Sequence, residues 1–162
     1  MTTNQSNITP FLWFDGKVEE AVNFYTSIFK SAKVLGMHHL PSDVPGRKGK
    51  VMTSEIELDG QKFILLDGGP QFKFTPAISF IINCTTQEEV DNLWEKLSAD
   101  GGRKDRCGWL QDKYGLSWQV VPKKLGELMY SNDPAKSKRV MEAMMQMGKL
   151  EINKLQEAYD KN

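Results

Sequence analysis

One order of secondary structure is written twice along this chain of 162 residues. The first copy opens at residues 8–14, a short apolar and aromatic run with the character of a buried strand, and Asp15-Gly16 turns it. Val18, Ala21, Val22, Tyr25, Ile28 and Phe29 then recur at helical spacing, while Glu19 and Glu20 place negative charge in the first turn, where the helix dipole favours it. Residues 34–40, 51–58 and 61–66 read as three strands, which gives the order β-α-β-β-β. Asp67-Gly68-Gly69-Pro70 breaks the ladder, and residues 71–76 form a connector. The order then returns. Residues 77–83 read as a buried strand, Thr86 caps a helix carrying Val90, Leu93, Trp94 and Leu97, Asp100-Gly101-Gly102 stops it, and strands follow within 103–110 and 116–121.

Matched by hand, Phe11 falls on Phe80, Glu19-Glu20 on Glu88-Glu89, Asn23 on Asn92 and Gly60 on Gly115. The offset between these anchors drops from 69 to 55, so the first copy carries 14 more residues, most simply placed in the loop at 41–50. The last strand of the second copy is the most informative stretch. Gly115 closes a tight turn begun at Asp112, and Pro122 ends the strand. Alternation puts Ser117, Gln119 and Val121 on one face and Leu116, Trp118 and Val120 on the other. Residues 59–67 repeat this shape, with Phe63 matching Trp118 and Ile64 matching Gln119. Beyond Pro122, Asp133-Pro134 starts a helix whose apolar face includes Val140, Met141, Met144, Met145 and Met147. Gly148 punctuates it, and a second short helix groups Ile152, Leu155 and Tyr159. The methionines are expected to pack on the sheet or on a second subunit, the alternative being a ligand-binding surface. The expected organisation is a first module at 8–67, a connector at 68–76, a second module at 77–122 and C-terminal helices at 133–160.

Composition excludes several functions. With 21 basic and 21 acidic residues the chain has no overall field to attract nucleic acid or an anionic membrane. Residues 1–7 are polar, and no run approaches the ~18 apolar residues of a membrane span, so a cytoplasmic protein is expected. Cys84 and Cys107 fall in apparent strands without CxxC spacing, which fits reduced thiols rather than a disulfide framework. There is no Gly-x-Ser-x-Gly elbow, and no Cys/His/Asn constellation emerges from spacing.

The residues 9–14 (Thr-Pro-Phe-Leu-Trp-Phe), 19–25 (Glu-Glu-Ala-Val-Asn-Phe-Tyr), 107–119 (through Gly115, Trp118 and Gln119) and 139–144 (Arg-Val-Met-Glu-Ala-Met), set in a tandem β-α-β-β-β frame, resemble the vicinal oxygen chelate superfamily. That superfamily includes glyoxalase I, extradiol dioxygenases and the fosfomycin- and bleomycin-resistance proteins. Within it the chain is similar to the PhnB-like, or 3-demethylubiquinone-9 3-methyltransferase-like, group. The resemblance implies an α+β fold of two βαβββ modules whose curved sheets form a cleft, in a homodimer, with a divalent metal in many of the enzymes. Metal ligands there sit on the first and last strands of each module. Carried across, the last-strand slots are Ile64 and Gln119, and the first-strand slots lie near Ile8 and Ala77. Of these only the Gln119 amide is a conventional donor, so no tightly bound metal and no other cofactor is expected. His38 and His39 are neighbours in a strand and point to opposite faces, and Glu55, Asp67 and Asp112 read as solvated turn or edge carboxylates. The methyltransferase label finds no support, because neither glycine cluster opens a helix at the head of a parallel sheet.

The expected ligand-binding set is Gln119, Ser117, Ser79, Trp109, Cys107 and Trp13. Gln119 either hydrogen-bonds a ligand or satisfies a neighbour. Trp109 and Trp13 are apolar platforms with one N–H donor each, or core. Cys107, near Arg103, Lys104 and Arg106, is a nucleophile only with a depressed pKa and otherwise an inert thiol. Arg47, Lys48 and Lys50 form a solvated loop or an anion-binding lid. Three functions follow: a dimeric binder of an unidentified small molecule, a metal-dependent lyase, isomerase or dioxygenase, or a filled cleft whose product is the dimer. Nucleic acid and membrane are not expected partners.

Overall fold

The computed structural model describes residues 7–40 and 49–161, and divides the chain into two compact units between Lys73 and Phe74. In the first unit β1 (Phe11–Phe14) leads to α1 (Val18–Ile28), then β2 (Ala32–His39), β3 (Val51–Leu58) and β4 (Gln61–Asp67). The sheet order is β1-β4-β3-β2, with β1 parallel to β4 and the other pairs antiparallel. Val18, Ala21, Val22, Tyr25 and Ile28 form the buried stripe of α1, and Leu12, Phe14, Ile56, Leu58, Phe63 and Leu65 are buried on the strands. Each Val, Leu, Ile or Phe side chain among them contributes about 1.5–3 kcal/mol when fully buried, so this stripe decides which sheet face the helix covers.

The second unit repeats the plan with β5 (Ser79–Cys84), α2 (Gln87–Leu97), β6 (Arg103–Lys104), β7 (Trp109–Gln111) and β8 (Ser117–Pro122), in the order β5-β8-β7-β6. Thr86 caps α2 as its sequence promises: its side chain accepts from the Glu89 amide at 3.2 Å, and a Glu89 carboxylate oxygen accepts in return from Thr85 N at 2.7 Å. Val90, Trp94 and Leu97 of α2 are buried in step with Ala21, Tyr25 and Ile28 of α1, so the helices match at the offset of 69. Gly60 and Gly115 sit at φ values of 87° and 86°, a conformation that costs a residue with a Cβ but not glycine.

Two details of the repeat differ from the sequence reading. In register, Phe11 lies beside Ile64, and the residue beside Gln119 is Ile81 rather than Phe80, which pairs with Trp118. Phe11 therefore corresponds to Ile81, a shift of one residue that reverses which face each side chain occupies. The run Phe80-Ile81-Ile82 is apolar throughout, so alternation alone does not reveal the slip. Nor does the extra length of the first copy lie only in its loop: β2 and β3 have 8 residues each, against 2 and 3 in β6 and β7. Of the basic cluster in that loop, Arg47 and Lys48 lie outside the described residues.

The C-terminal segment belongs to the second unit. Three helices follow β8: α3 (Lys123–Met129), α4 (Pro134–Met145) and α5 (Ile152–Asp160). The first was not legible, because Gly126 and an uncapped start hide it, yet Leu125, Leu128 and Met129 recur at helical spacing. Leu128, Val140, Met147, Leu150 and Leu155 make a buried cluster, with Val121 and Met144 packed against it. Asp133 caps α4 by accepting from the Ala135 and Lys136 amides. Met141 and Met145 stay exposed, so the methionines divide between core and surface. Gln87 of α2 reads both sides of the link into α5, donating to Leu150 O at 3.1 Å and accepting from Ile152 N at 2.8 Å. Among the described residues no helix is long and apolar enough to cross a membrane.

Candidate functional site

Strand β8 is fixed at its start by Asp112, a residue only 2% exposed. One carboxylate oxygen accepts from Tyr114 N at 2.9 Å and Leu116 N at 3.1 Å, while the other accepts from the Trp118 indole at 2.9 Å. Asp112 is thus a buried turn anchor and not the solvated carboxylate its position suggested. Asp67 at the end of β4 is buried as well, and accepts from Gly16 N at 2.8 Å just before α1. Backbone amides with no helical or strand partner explain both departures. Glu55 is exposed as expected, but it lies within β3, an inner strand between β4 and β2, and not at a turn or an edge.

With Trp118 and Val120 buried in the core, Ser117 and Gln119 face the other side of the sheet. Register then assembles the neighbours. Ser79 and Gln111 flank Ser117, and Ile81 and Trp109 flank Gln119. Val120 N donates to Gly108 O at 2.8 Å, which makes Trp109 and Gln119 a non-hydrogen-bonded pair, the arrangement in which facing side chains stand closest. Gln119 Nε2 donates to Ser79 Oγ at 2.9 Å, and Gln111 Nε2 reaches Ser117 Oγ at 3.5 Å. Gln119 Oε1 and the Trp109 indole N–H have no protein partner among the described residues. Four of the six expected residues therefore share one sheet face, and Gln119 satisfies a neighbour through its nitrogen, the Ser79 hydroxyl rather than a backbone group. Gln111 and Ile81 were missed. The alternation Trp109-Leu110-Gln111 carried the signal for the first of them.

The other two expected residues do not belong to this sheet face. Cys107 is not in a strand: it occupies the turn before β7 at φ 58°, with its backbone N–H donating to Met147 O at 2.8 Å. Trp13 lies in the first unit on β1, where its indole donates to Gly69 O at 2.9 Å and meets the Phe72 ring edge-on at 5.0 Å. Its ring covers Gly68 so closely that a Cβ there would come within 2.1 Å of it. Cys84 is buried and free, and burial, with Glu89 adding to it, pushes its thiol up to about 11 despite the opposing charge of Lys123.

The donor set does not suit a divalent cation. Ile8 and Ala77 lie outside the strands, and the positions in register with the last-strand slots are Phe11 beside Ile64 and Ile81 beside Gln119. The first pair offers a cation no donor, and the second a single neutral oxygen. A register irregularity falls between His38 and His39, both exposed. No group of three His, Cys, Asp or Glu side chains able to hold an ion occurs among the described residues. Neither glycine cluster opens a helix: Gly68-Gly69 lead toward β5 and Gly101-Gly102 toward β6.

Comparison with known proteins agrees with this architecture. The family described as 3-demethylubiquinone-9 3-methyltransferase matches residues 6–121, ending as β8 ends. No curated protein matches the chain. A PhnB protein from Bacillus cereus is 38% identical, with a TM-score of 0.67 over 72% of this chain and 99% of that one. A Pseudomonas aeruginosa protein at 21% identity (TM-score 0.59, 73% of this chain and 98% of that one) shares the fold. So does the fosfomycin resistance protein FosX from Listeria monocytogenes at 15% (TM-score 0.54, 76% and 97%). The chain belongs to the PhnB, or 3-demethylubiquinone-9 3-methyltransferase, family within the glyoxalase/bleomycin-resistance/dioxygenase fold.

Proposed function

We propose that this protein binds a small molecule on the face of the second sheet opposite α2, without a tightly bound metal ion, and that it does so as a homodimer. One observation carries the reading: Gln119, Ser79, Ser117 and Trp109 converge on one face with an acceptor oxygen and an indole N–H left for an outside partner. Polar groups among apolar neighbours are the usual composition of a ligand site. Support for the dimer is the exposure of large apolar side chains at an edge of the first sheet, Ile8 at 81% just before β1 and Phe11 at 56% on it.

The test joins metal analysis of the purified protein to a thermal-shift screen of metabolite-sized compounds, with light scattering for the oligomer. Substoichiometric metal, and a hit whose shift is lost in Trp109→Ala and Gln119→Leu, are the expected results. A stoichiometric Ni, Zn, Mn or Fe ion that Gln119→Leu releases would overturn the reading and make the protein a metal-dependent lyase, isomerase or dioxygenase.

A further inference from the structure

The ligand face has hydrogen-bonding groups of both kinds and no formal charge. Ser79, Ser117 and Gln111 form one row, Ile81, Gln119 and Trp109 the next, and none of the six is ionisable. At the rim Arg103 stands level with Gln111, but its Nε and Nη2 each donate to Asp105 at 2.9 Å. An anion drawn onto this face would exchange its water for neutral amides and hydroxyls, an unfavourable trade for unpaired charge.

The Gln119 and Ser79 pair narrows the ligand further. With Gln119 Nε2 donating to Ser79 Oγ, Oε1 remains an acceptor and the serine O–H a donor, side by side. Turning the amide over exchanges the roles and leaves the sum unchanged: Ser79 donates to Oε1, and the pair presents an N–H and a hydroxyl lone pair. Either way one donor and one acceptor stand together. On one side of them is the Trp109 indole and on the other the Ile81 hydrocarbon. Building on the proposed ligand face, we infer that the ligand is uncharged and planar, and that it presents an N–H beside a C=O, as a lactam or cyclic imide does, to Gln119 and Ser79 while its ring lies against Trp109.

Three probes of one size test this: 2-quinolone, N-methyl-2-quinolone and quinoline-2-carboxylate, titrated into the full chain while the Gln119 side-chain amide and Trp109 indole N–H are followed by NMR. Saturable shifts of both signals by 2-quinolone are expected, with affinity about tenfold weaker for the N-methyl compound, which leaves an acceptor unpaired. The carboxylate should bind more weakly than 2-quinolone, and Gln119→Leu should abolish the preference for the free N–H. Equal binding of the N-methyl compound, or tighter binding of the carboxylate with the same signals moving, would overturn the ligand class and leave the ligand face standing. If no probe at its solubility limit moves either signal, the inference falls. If compounds from the thermal-shift screen also bind undisturbed by Trp109→Ala, the ligand face falls with it.

Discussion

Asp112 holds together the strand on which the ligand face is built, and its contribution can be worked from three contacts. Its carboxylate accepts from two turn amides at 2.9 and 3.1 Å and from the Trp118 indole at 2.9 Å, with the residue 2% exposed. Hydrogen bonds to a charged acceptor contribute about 1.5–3 kcal/mol each, and donors stranded away from water carry their full desolvation cost. Truncation lets water reach part of the turn, so the three terms do not simply add. Asp112→Ala is expected to lose about 3–5 kcal/mol, at the top of the range for single substitutions. That corresponds to a fall in Tm of roughly 6–20 °C for a chain of this size. Trp118→Phe removes the indole donor together with part of a buried ring and should cost about 2–3 kcal/mol.

The pair of residues also gives an internal control. Asp112→Asn keeps one oxygen for the turn amides but turns an NH2 group toward the indole N–H, so that two donors face each other. In the Trp118→Phe background that conflict is absent, and Asp112→Asn should therefore cost about 1–2 kcal/mol less than it does alone. Urea denaturation of the four proteins, followed by far-UV circular dichroism, measures the cycle. Additivity within about 0.5 kcal/mol, or an Asp112→Ala cost below about 1 kcal/mol, would refute the assignment of Asp112 as the anchor.

Three further substitutions probe other parts of the molecule. Gly68→Ala sets a Cβ within 2.1 Å of the Trp13 ring and must displace it from Gly69 O, so a loss of about 1–3 kcal/mol is expected in denaturation, and no loss would contradict that packing. Gln87→Ala removes both contacts to the link before α5 and should speed amide hydrogen exchange across 147–160 while leaving α1 unchanged; unaltered exchange would show that the helical cluster needs no such tie. Cys84 should resist alkylation at neutral pH, and because its folded pKa is raised from 9.0 to about 11, its stabilising effect is full below 9.0 and is lost as the pH climbs to about 11. A Cys84→Ser variant with the same loss of stability over that interval would show that the thiol is not its source.

Much of the fold was readable because its signals are local. Thr86 and Asp133 carry their caps in the sequence, and Gly60 and Gly115 mark turns that only glycine takes cheaply. What could not be read depends on contacts between strands. The one-residue shift that puts Ile81, not Phe80, beside Gln119 is set by pairing within an unbroken apolar run. Asp67 and Asp112 look like surface charges in a linear reading, because the amides that Asp112 meets are gathered by its own turn and the one that Asp67 meets, Gly16 N, lies 51 residues away. The ligand face was legible where alternation was clean, at Ser117 and Gln119, whereas Gln111 needed the register of β7 to join it.

The same register explains why an amide suits position 119 better than a carboxylate would. A carboxylate at 119 would sit between Trp109 and Ile81 with only the Ser79 hydroxyl to donate to it, and a charge so poorly paired is costly without a cation. Holding an ion there would take more than that one substitution, because Ile81, in register with it, offers no donor. A glutamine needs no such company: one serine satisfies half of it, and the remaining half is free to recognise a neutral partner. On the proposed reading the hydrocarbon at Ile81 and the amide at Gln119 belong together, with hydrogen bonds and an aromatic wall taking the place of coordination.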